Sequence, residues 1–325
     1  MALKFIDLFA GIGGFRIALD GLGAKCVYSS DNDKYVQDVY EENFGERPDG
    51  DITQVISQDI PNHDILCGGF PCQPFSIGGF RKGFADTRGT LFFDVERILR
   101  EKKPRAFILE NVRGLVNHDG GRTFNTIIEK LAKTINGQEN LFPTKDNLGY
   151  NVFYKVLNSK DYNIPQNRER IFIVGFLEDN VGFEFPKPVP LTKTLESILD
   201  KNVKNHDISE TALYNIENHI KNRSGLDYKK PILAYEIRKS RVAFRNNNTS
   251  PCLTAKMGTG GNNVPVLVQK KRKLTVEECL RIQGFPKNFK MKSNNSQSYK
   301  QIGNSVSVPL VKKVAREVLK SLGAI

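Results

Sequence analysis

The stretch GGFPCQPFS sets Cys72 between Pro71 and Pro74, directly after DILCGGF, a run that reads as a buried strand. Proline fixes its own φ and restricts the residue before it, while Gly68 and Gly69 let other backbone or a ligand come close. A cysteine that only fills a core gains nothing from so stiff a corner; a nucleophile gains a fixed direction of attack. Ser76, Arg81 and Lys82 follow in SIGGFRKGFADTRGT, a glycine-rich polar loop whose composition suits closure over a phosphate backbone. Two further segments end in charge. LENV leaves Glu110 at the tip of an apolar run, where a carboxyl is costly unless it is used. QNRER puts Arg168 and Arg170 two apart, on one face of an extended chain. Taken singly, each of these is also what an ordinary salt-bridged strand end looks like; on one sheet edge they form a site.

A second set of residues points to a small ligand. FIDLFAGIGGFR carries glycines at 11, 13 and 14 between an apolar run and a helical one, so backbone N–H groups there can face a ligand at a helix N-terminus. The dinucleotide fingerprint needs a glycine where Arg16 stands, which weakens a dehydrogenase reading. Asp31 ends the next apolar run, where a carboxylate accepts hydrogen bonds from ribose hydroxyls, and Asp51 in GDITQV is expected to follow a further short strand. Glycines with two strand-end acids fit a nucleoside cofactor without a pyrophosphate; plain turn chemistry is the alternative.

The elements that must position these groups follow from periodicity. KFIDLF (4–9), KCVYSS (25–30), DILCGG (64–69), AFILEN (106–111) and RIFIVGF (170–176) read as buried strands. FRIALDGLG, DKYVQDVYEENFG, TLFFDVERILREKK and RTFNTIIEKLAKTI, between them, have helical spacing. Alternation of this kind predicts an α/β fold with a parallel sheet covered on both faces and ligands at the carboxyl ends of its strands. The pattern breaks at the proline-rich FEFPKPVPLTK (183–193); one helix (207–222) and a polar, basic, Asn- and Gly-rich stretch then predict a smaller second domain. LTVEECLRIQGF and VPLVKKVAREVLKSL restore helical spacing, so the C-terminus is expected to return to the first domain.

Composition narrows the function. The chain has 325 residues and a formal charge of +12, and residues 221–245 and 269–292, each with eight Lys/Arg against two acids, account for the whole excess. A basic excess confined to one region favours a polyanion, nucleic acid before an acidic protein or a membrane surface. Five cysteines without a C-x-x-C pair suggest neither a disulfide framework nor a zinc finger, and the four scattered histidines have no metal-ligand spacing, so no metal is expected. Neither a membrane span nor a signal peptide is apparent, which points to the cytoplasm.

At this point the sequence resembles the cytosine-C5 DNA methyltransferases of bacterial restriction–modification systems. DLFAGIGGFR, GDITQV, GGFPCQPFS, RGTLFFD, ENV, QNRERIF, RKLTVEECLRIQGFP and YKQIGNSV appear in family order over almost the full chain. The resemblance implies a Rossmann-like domain with a mixed, mostly parallel sheet that binds S-adenosylmethionine, and a smaller target-recognition domain. It divides the chain into a catalytic domain (1–187), a target-recognition domain (188–275), a hinge region (276–302) and a C-terminal segment that completes the catalytic domain (303–325). It also implies a monomer acting on double-stranded DNA, with any cognate endonuclease invisible in this chain.

Carried over by position, Cys72 is the nucleophile that attacks C6 of a flipped cytosine, Glu110 contacts the ring, and Arg168 and Arg170 hold the nucleotide. Phe9, Gly11, Ile12, Gly14, Asp31, Asp51, Ile52, Gly69, Pro71 and Leu91 are implied to line the cofactor site, with Asn304, Ser305 and Val306 closing it. Ser76, Arg81, Lys82, Arg238, Arg241 and Arg245 are the expected DNA contacts. One departure stands out: the family has an aromatic residue after the ribose-binding acid, and here that residue is Asn32. A tRNA cytosine methyltransferase and a non-catalytic DNA-binding regulator are the competing readings; ENVRGL and the GNNVP-containing region favour DNA, and the intact Cys72, Glu110 and Arg170 favour catalysis.

Overall fold

A computed structural model describes residues 2–71, 91–141, 143–260 and 262–325. Eight strands form one sheet: β1 (Lys4–Leu8), β2 (Lys25–Ser30), β3 (Ile65–Gly68), β4 (Ala106–Val112), β5 (Ala132–Ile135), β6 (Gln138–Glu139), β7 (Tyr150–Asn158) and β8 (Glu169–Phe176). Their order is β2-β1-β3-β4-β8-β7-β5-β6. The first four are mutually parallel, and β8 is antiparallel to both neighbours.

Successive side chains of a strand point to opposite faces, so continuous apolar runs such as FIDL and ILCG must be covered on both sides. They are. Phe5, Ile65, Ile108 and Val174 pack under α1 (Gly14–Asp20) and α8 (Val308–Ser321), through Phe15, Leu19, Val311 and Val318. Ile6, Leu66, Phe107 and Ile173 pack under α3 (Phe92–Lys102) and α4 (Arg122–Leu131), through Val95, Leu99, Phe124 and Ile127. The remaining helices are α2 (Lys34–Phe44), α5 (Glu210–Ile220), α6 (Val276–Gln283) and α7 (Asn295–Asn304).

A separate antiparallel sheet, β10-β9-β11-β12, is built from β9 (Leu233–Tyr235), β10 (Ala243–Arg245), β11 (Val266–Leu267) and β12 (Arg272–Lys273). The α5 residues Ala212 and Ile216 cover one of its faces, against Ala234 and Val266, while Leu233 and Leu267 join the main core. Its last strand is tied to α6 by a buried ion pair, Arg272 to Glu278, 2.7 Å apart; Glu278 also completes a capping box with Thr275.

Three expectations need correction. The helical run read through residue 135 stops at Leu131, and Ala132–Ile135 is a strand. Its cause is the next dipeptide, Asn136-Gly137: both have positive φ, 48° and 84°, and Ile135 pairs with Gln138 across this two-residue turn. β7 was not anticipated at all. No strand precedes Asp51; a single bridge, Ser30 to Asp49, takes its place, and the Asp51 carboxylate caps a short 3-10 turn by accepting from Thr53 N.

Candidate active site

A cavity of about 580 Å³ opens at the carboxyl ends of β1 to β4. Because β8 runs antiparallel to β4, its start lies at that same edge, and Arg170 pairs in register with Val112. Four strand ends and one strand beginning thus converge on one space.

At one end of the cavity is the glycine turn. Gly11 N donates to Asp31 Oδ2 at 2.9 Å and Asp33 N donates to Oδ1 at 3.0 Å, which fixes the carboxylate while leaving acceptor capacity on each oxygen. Burial raises the Asp31 pKa above the usual carboxylate range, against those two bonds. Phe9, on the wall, has φ 55°, a conformation rare for a bulky residue and one that surrounding structure must hold in place. Gly14 is required by close approach: a Cβ there would lie 2.5 Å from Val306 Cγ2. Arg16, where a dinucleotide site needs glycine, pairs instead with Asp20 and Glu46.

The other end is built for a different kind of chemistry. Glu110 is 8% exposed, and its Oε1 lies 2.9 Å from Arg170 Nε. The Nε–H is not directed at that oxygen, which has no hydrogen-bond donor among the described residues, so the contact is an ion pair that leaves the carboxylate's bonding capacity available. The neighbouring Asn111 is buried; its Nδ2 donates to Phe70 O at 2.9 Å and so holds the peptide that leads into Pro71.

Of the expected cofactor residues, Phe9, Gly11, Gly14, Asp31, Asp51, Ile52, Gly69, Pro71, Leu91, Asn304, Ser305 and Val306 all line the cavity. Ile12 does not: the residue is 0% exposed and its side chain belongs to the hydrophobic core. Asn32 is on the wall and exposed. Cys72, Ser76, Arg81 and Lys82 lie outside the described residues.

Arg168 also differs from expectation. It is 1% exposed, and its guanidinium donates to Leu253 O at 2.7 Å, to Ser305 O at 2.6 Å and to Gly303 O at 3.4 Å. Burial, then the nearby Arg170 charge, lowers its pKa to about 10, which leaves it cationic at neutral pH. Those bonds commit its Nη groups to protein carbonyls, while the residue lines the cavity and its Nε has no hydrogen-bond partner among the described residues. Gln166 and Gln283, both 0% exposed, extend the network: Gln166 donates to Gln283 Oε1 and accepts from Leu253 N, and Gln283 donates to Ile302 O. Gly303 is packed so tightly on this junction that a Cβ would stand 2.1 Å from the Thr254 carbonyl carbon.

Sequence reading missed Lys300, which lines the cavity 3.4 Å from Asp33, and also Asn111, Gln166 and Gln283. For the amides a signal existed: polar residues inside or beside apolar runs need buried partners. The basic stretches also separate. In 269–292, Lys271, Arg272, Arg281, Lys290 and Lys292 have acidic partners, whereas in 221–245 only Lys230 and Arg241 do, among the described residues. Arg245 is half-buried, with Nη1 3.3 Å from Thr249 Oγ1, and Arg238 and Arg241 are exposed. Among the described residues, no group of His, Cys, Asp and Glu could hold a metal ion, and no helix is long and apolar enough to cross a membrane.

The chain is 45% identical to the type II methyltransferase M.HaeII of Haemophilus aegyptius, over 98% of this chain and 93% of that one. It is 44% identical to M.HhaI of Haemophilus parahaemolyticus, over 98% and 95%. Among solved structures, a triple mutant of Spodoptera frugiperda DNMT2 shares the fold with a TM-score of 0.70 at 20% identity, covering 98% of this chain and 100% of that one. Entamoeba histolytica EhMeth does so with a TM-score of 0.70 at 18% identity, covering 99% of each. The sequence model described as C-5 cytosine-specific DNA methylase matches residues 3–320, and this chain belongs to that family.

Proposed function

We propose that the chain is a type II DNA cytosine-C5 methyltransferase that uses S-adenosylmethionine and protects host DNA beside a cognate endonuclease. The observation that carries this reading is the pairing of two ends in one cavity: a glycine turn with a ribose-suited carboxylate at one, and the Glu110–Arg170 pair at the other.

The residues fit the cofactor. Asp31 has acceptor capacity for ribose hydroxyls, Gly11 leaves room for close approach, and Arg16, engaged with two acids, offers no pyrophosphate clamp. Phe9, Ile52 and Leu91 supply apolar wall for a base, in place of an aromatic residue at Asn32. When bound, S-adenosylmethionine supplies an electrophilic methyl group on a sulfonium.

Cytosine C5 is too weak a nucleophile to accept that methyl unaided. Addition of the Cys72 thiolate to C6 makes C5 enamine-like, and Glu110 interacts with N3 and the exocyclic amine as the ring's electron density shifts. C5 would then take the sulfonium's methyl group, the C–S bond breaking to leave a neutral thioether, and loss of the C5 proton would expel Cys72 and restore the ring. Pro71, bonded directly to Cys72, is on the cavity wall, and Arg170 pairs with Glu110 on the adjacent strand end. A stacked base cannot reach such a recess, so the target nucleotide must be flipped.

In this reading residues 1–187 and 303–325 form the catalytic domain of a monomer, 188–275 read double-stranded DNA, and 276–302 join them. The test uses a duplex carrying 5-fluorocytosine at the methylated position, mapped first by bisulfite sequencing of an expressing host. Fluorine cannot leave as a cation, so wild type with cofactor should give a denaturation-resistant adduct, and Cys72→Ser should bind DNA but give none. An adduct from Cys72→Ser would assign the nucleophile elsewhere. Transfer to tRNA and not to duplex DNA would replace the substrate assignment.

A further inference from the structure

The three arginines expected to meet DNA do not have equivalent surroundings. Arg238 and Arg241 close the hairpin between β9 and β10: Arg238 N donates to Arg241 O at 2.8 Å, and Arg241 N to Arg238 O at 3.3 Å. Lys239 and Ser240 form its tip. Arg241 reaches outward, its side chain 72% exposed, with Glu236 as a loose counter-ion at 3.2 Å. Arg245 is folded back on Thr249.

Arg238 is exposed yet held. Its Nη1 donates to Ile237 O at 3.1 Å and its Nη2 to Asn263 Oδ1 at 3.0 Å. Asn263 Nδ2 donates in turn to Gly260 O at 2.8 Å and Thr259 Oγ1 at 3.3 Å. The amide orientation follows from chemistry, since an arginine can only donate and a carbonyl can only accept. Among the described residues Arg238 has no acidic partner.

The segment that supplies Asn263 is itself anchored at the active site. It begins at Cys252, whose Sγ is 3.5 Å from Arg168 Nη1 and 4.0 Å from Arg170 Nη1. It then passes Met257, buried in the main core with Tyr299 and Ile302 of α7. The residue that fixes Arg238 is therefore carried on the framework that places Glu110 and Arg170.

We propose that Arg238 reads a base of the recognition sequence, with Asn263 as its positioning residue, and that Arg241 contacts phosphate. This deepens the DNA methyltransferase reading and rests on it. A guanidinium has five N–H donors, and the two bonds to protein leave Nε–H and one N–H on each Nη for a ligand. Guanine O6 and N7 take two such donors side by side, and a fork already held loses less freedom on engaging them. Arg241 is free to swing, and its exposed acid can be exchanged for a phosphate oxygen, a contact without sequence information.

The test is the methylation pattern itself. The full chain is expressed in a host lacking cytosine-C5 methylation, and genomic DNA is read by bisulfite sequencing across a range of expression levels. Wild type should give one motif; no methylated cytosine at all would sink the methyltransferase reading rather than this one. Arg238→Ala should degrade a single motif position, with discrimination there falling about tenfold or more. Asn263→Ala should loosen the same position by less, and Asn263→Asp, which keeps an acceptor for Arg238, should retain it. Arg241→Ala should lower methylation of all sites alike. If Arg238→Ala methylates nothing, Arg238→Lys keeps the charge without the fork and must relax that position. An unchanged motif in Arg238→Lys and Asn263→Ala, or a relaxed one in Arg241→Ala, overturns the proposal.

Discussion

Arg168, just before β8, is 1% exposed and spends its guanidinium on the carbonyls of residues 253, 303 and 305, whereas Arg241, on the small sheet's hairpin, has a 72% exposed side chain with one loose acidic neighbour. The two residue types are identical and their tasks are opposite. At the large sheet's edge, Arg168 Nη, Gln166, Gln283 and Asn111 are bonded within the protein before any ligand arrives, while Glu110 Oε1 is left without a donor, so the frame of the cavity is set in advance and the carboxylate stays free to act. In the 221–245 stretch around the small sheet, most cations have no acidic partner among the described residues, so their charge is available to something outside the chain. Preorganisation belongs to chemistry that must be the same at every turnover; uncommitted charge belongs to a surface that meets a polyanion.

The largest effects should come from the preorganised edge. Glu110→Gln keeps the shape but cannot exchange a proton with the cytosine ring, and it removes the Arg170 counter-charge. Methyl transfer should slow by about 10²–10⁴-fold, measured in single turnover, with duplex affinity unchanged. A matching loss of duplex affinity would mean that the two regions are not separable in function.

Arg168→Leu should come next. It leaves the carbonyls of Leu253 and Gly303 buried without this donor and Ser305 O with only Gln283 Nε2, 3.2 Å away, and stability should fall by on the order of 3 kcal/mol in urea titration. Arg241→Ala, measured alongside, should change stability by no more than about 0.5 kcal/mol. Equal losses would break the contrast drawn between the sheets.

Much of the fold was legible because its determinants are local. β1, β2, β3, β4 and β8 are short apolar runs closed by glycine or a polar residue, and both periodicities they sit between are visible in the chain. β5 was misread because Leu131 to Ile135 prolongs a helical spacing, although Asn136-Gly137 is the strongest short hairpin signal there is. The expected cofactor residues lie on the cavity wall apart from Ile12, whose side chain turns into the core, but Lys300 and Asn111 on the same wall were not legible. Arg168 was not. Its partners are backbone carbonyls of residues 253, 303 and 305, and a carbonyl carries no mark in a sequence; only the fold brings them together. Asn263 is hidden for the same reason, since its partner is 25 residues away across a sheet.

Asp31 allows the comparison to be sharpened with pH, at the smallest expected amplitude. Burial holds its pKa above the ordinary carboxylate range in the free protein. Ribose hydroxyls donate to the ionised form, so binding favours deprotonation and a proton competes with the cofactor. The sign follows: affinity is full above the raised pKa and falls as pH drops through it, beginning at a higher pH than for an exposed aspartate. Asp31→Asn should weaken S-adenosylmethionine by about tenfold at pH 8, the worth of one charged hydrogen bond, and should flatten this acid-side loss. Arginines do not titrate in this range, so binding of non-cognate duplex between pH 5 and 8 should lack the dependence carried by Asp31. Calorimetry of both ligands across that range reads the difference directly. Cofactor affinity that weakens on acidification equally in wild type and Asp31→Asn would move the proton to another group and remove Asp31 from the ribose site.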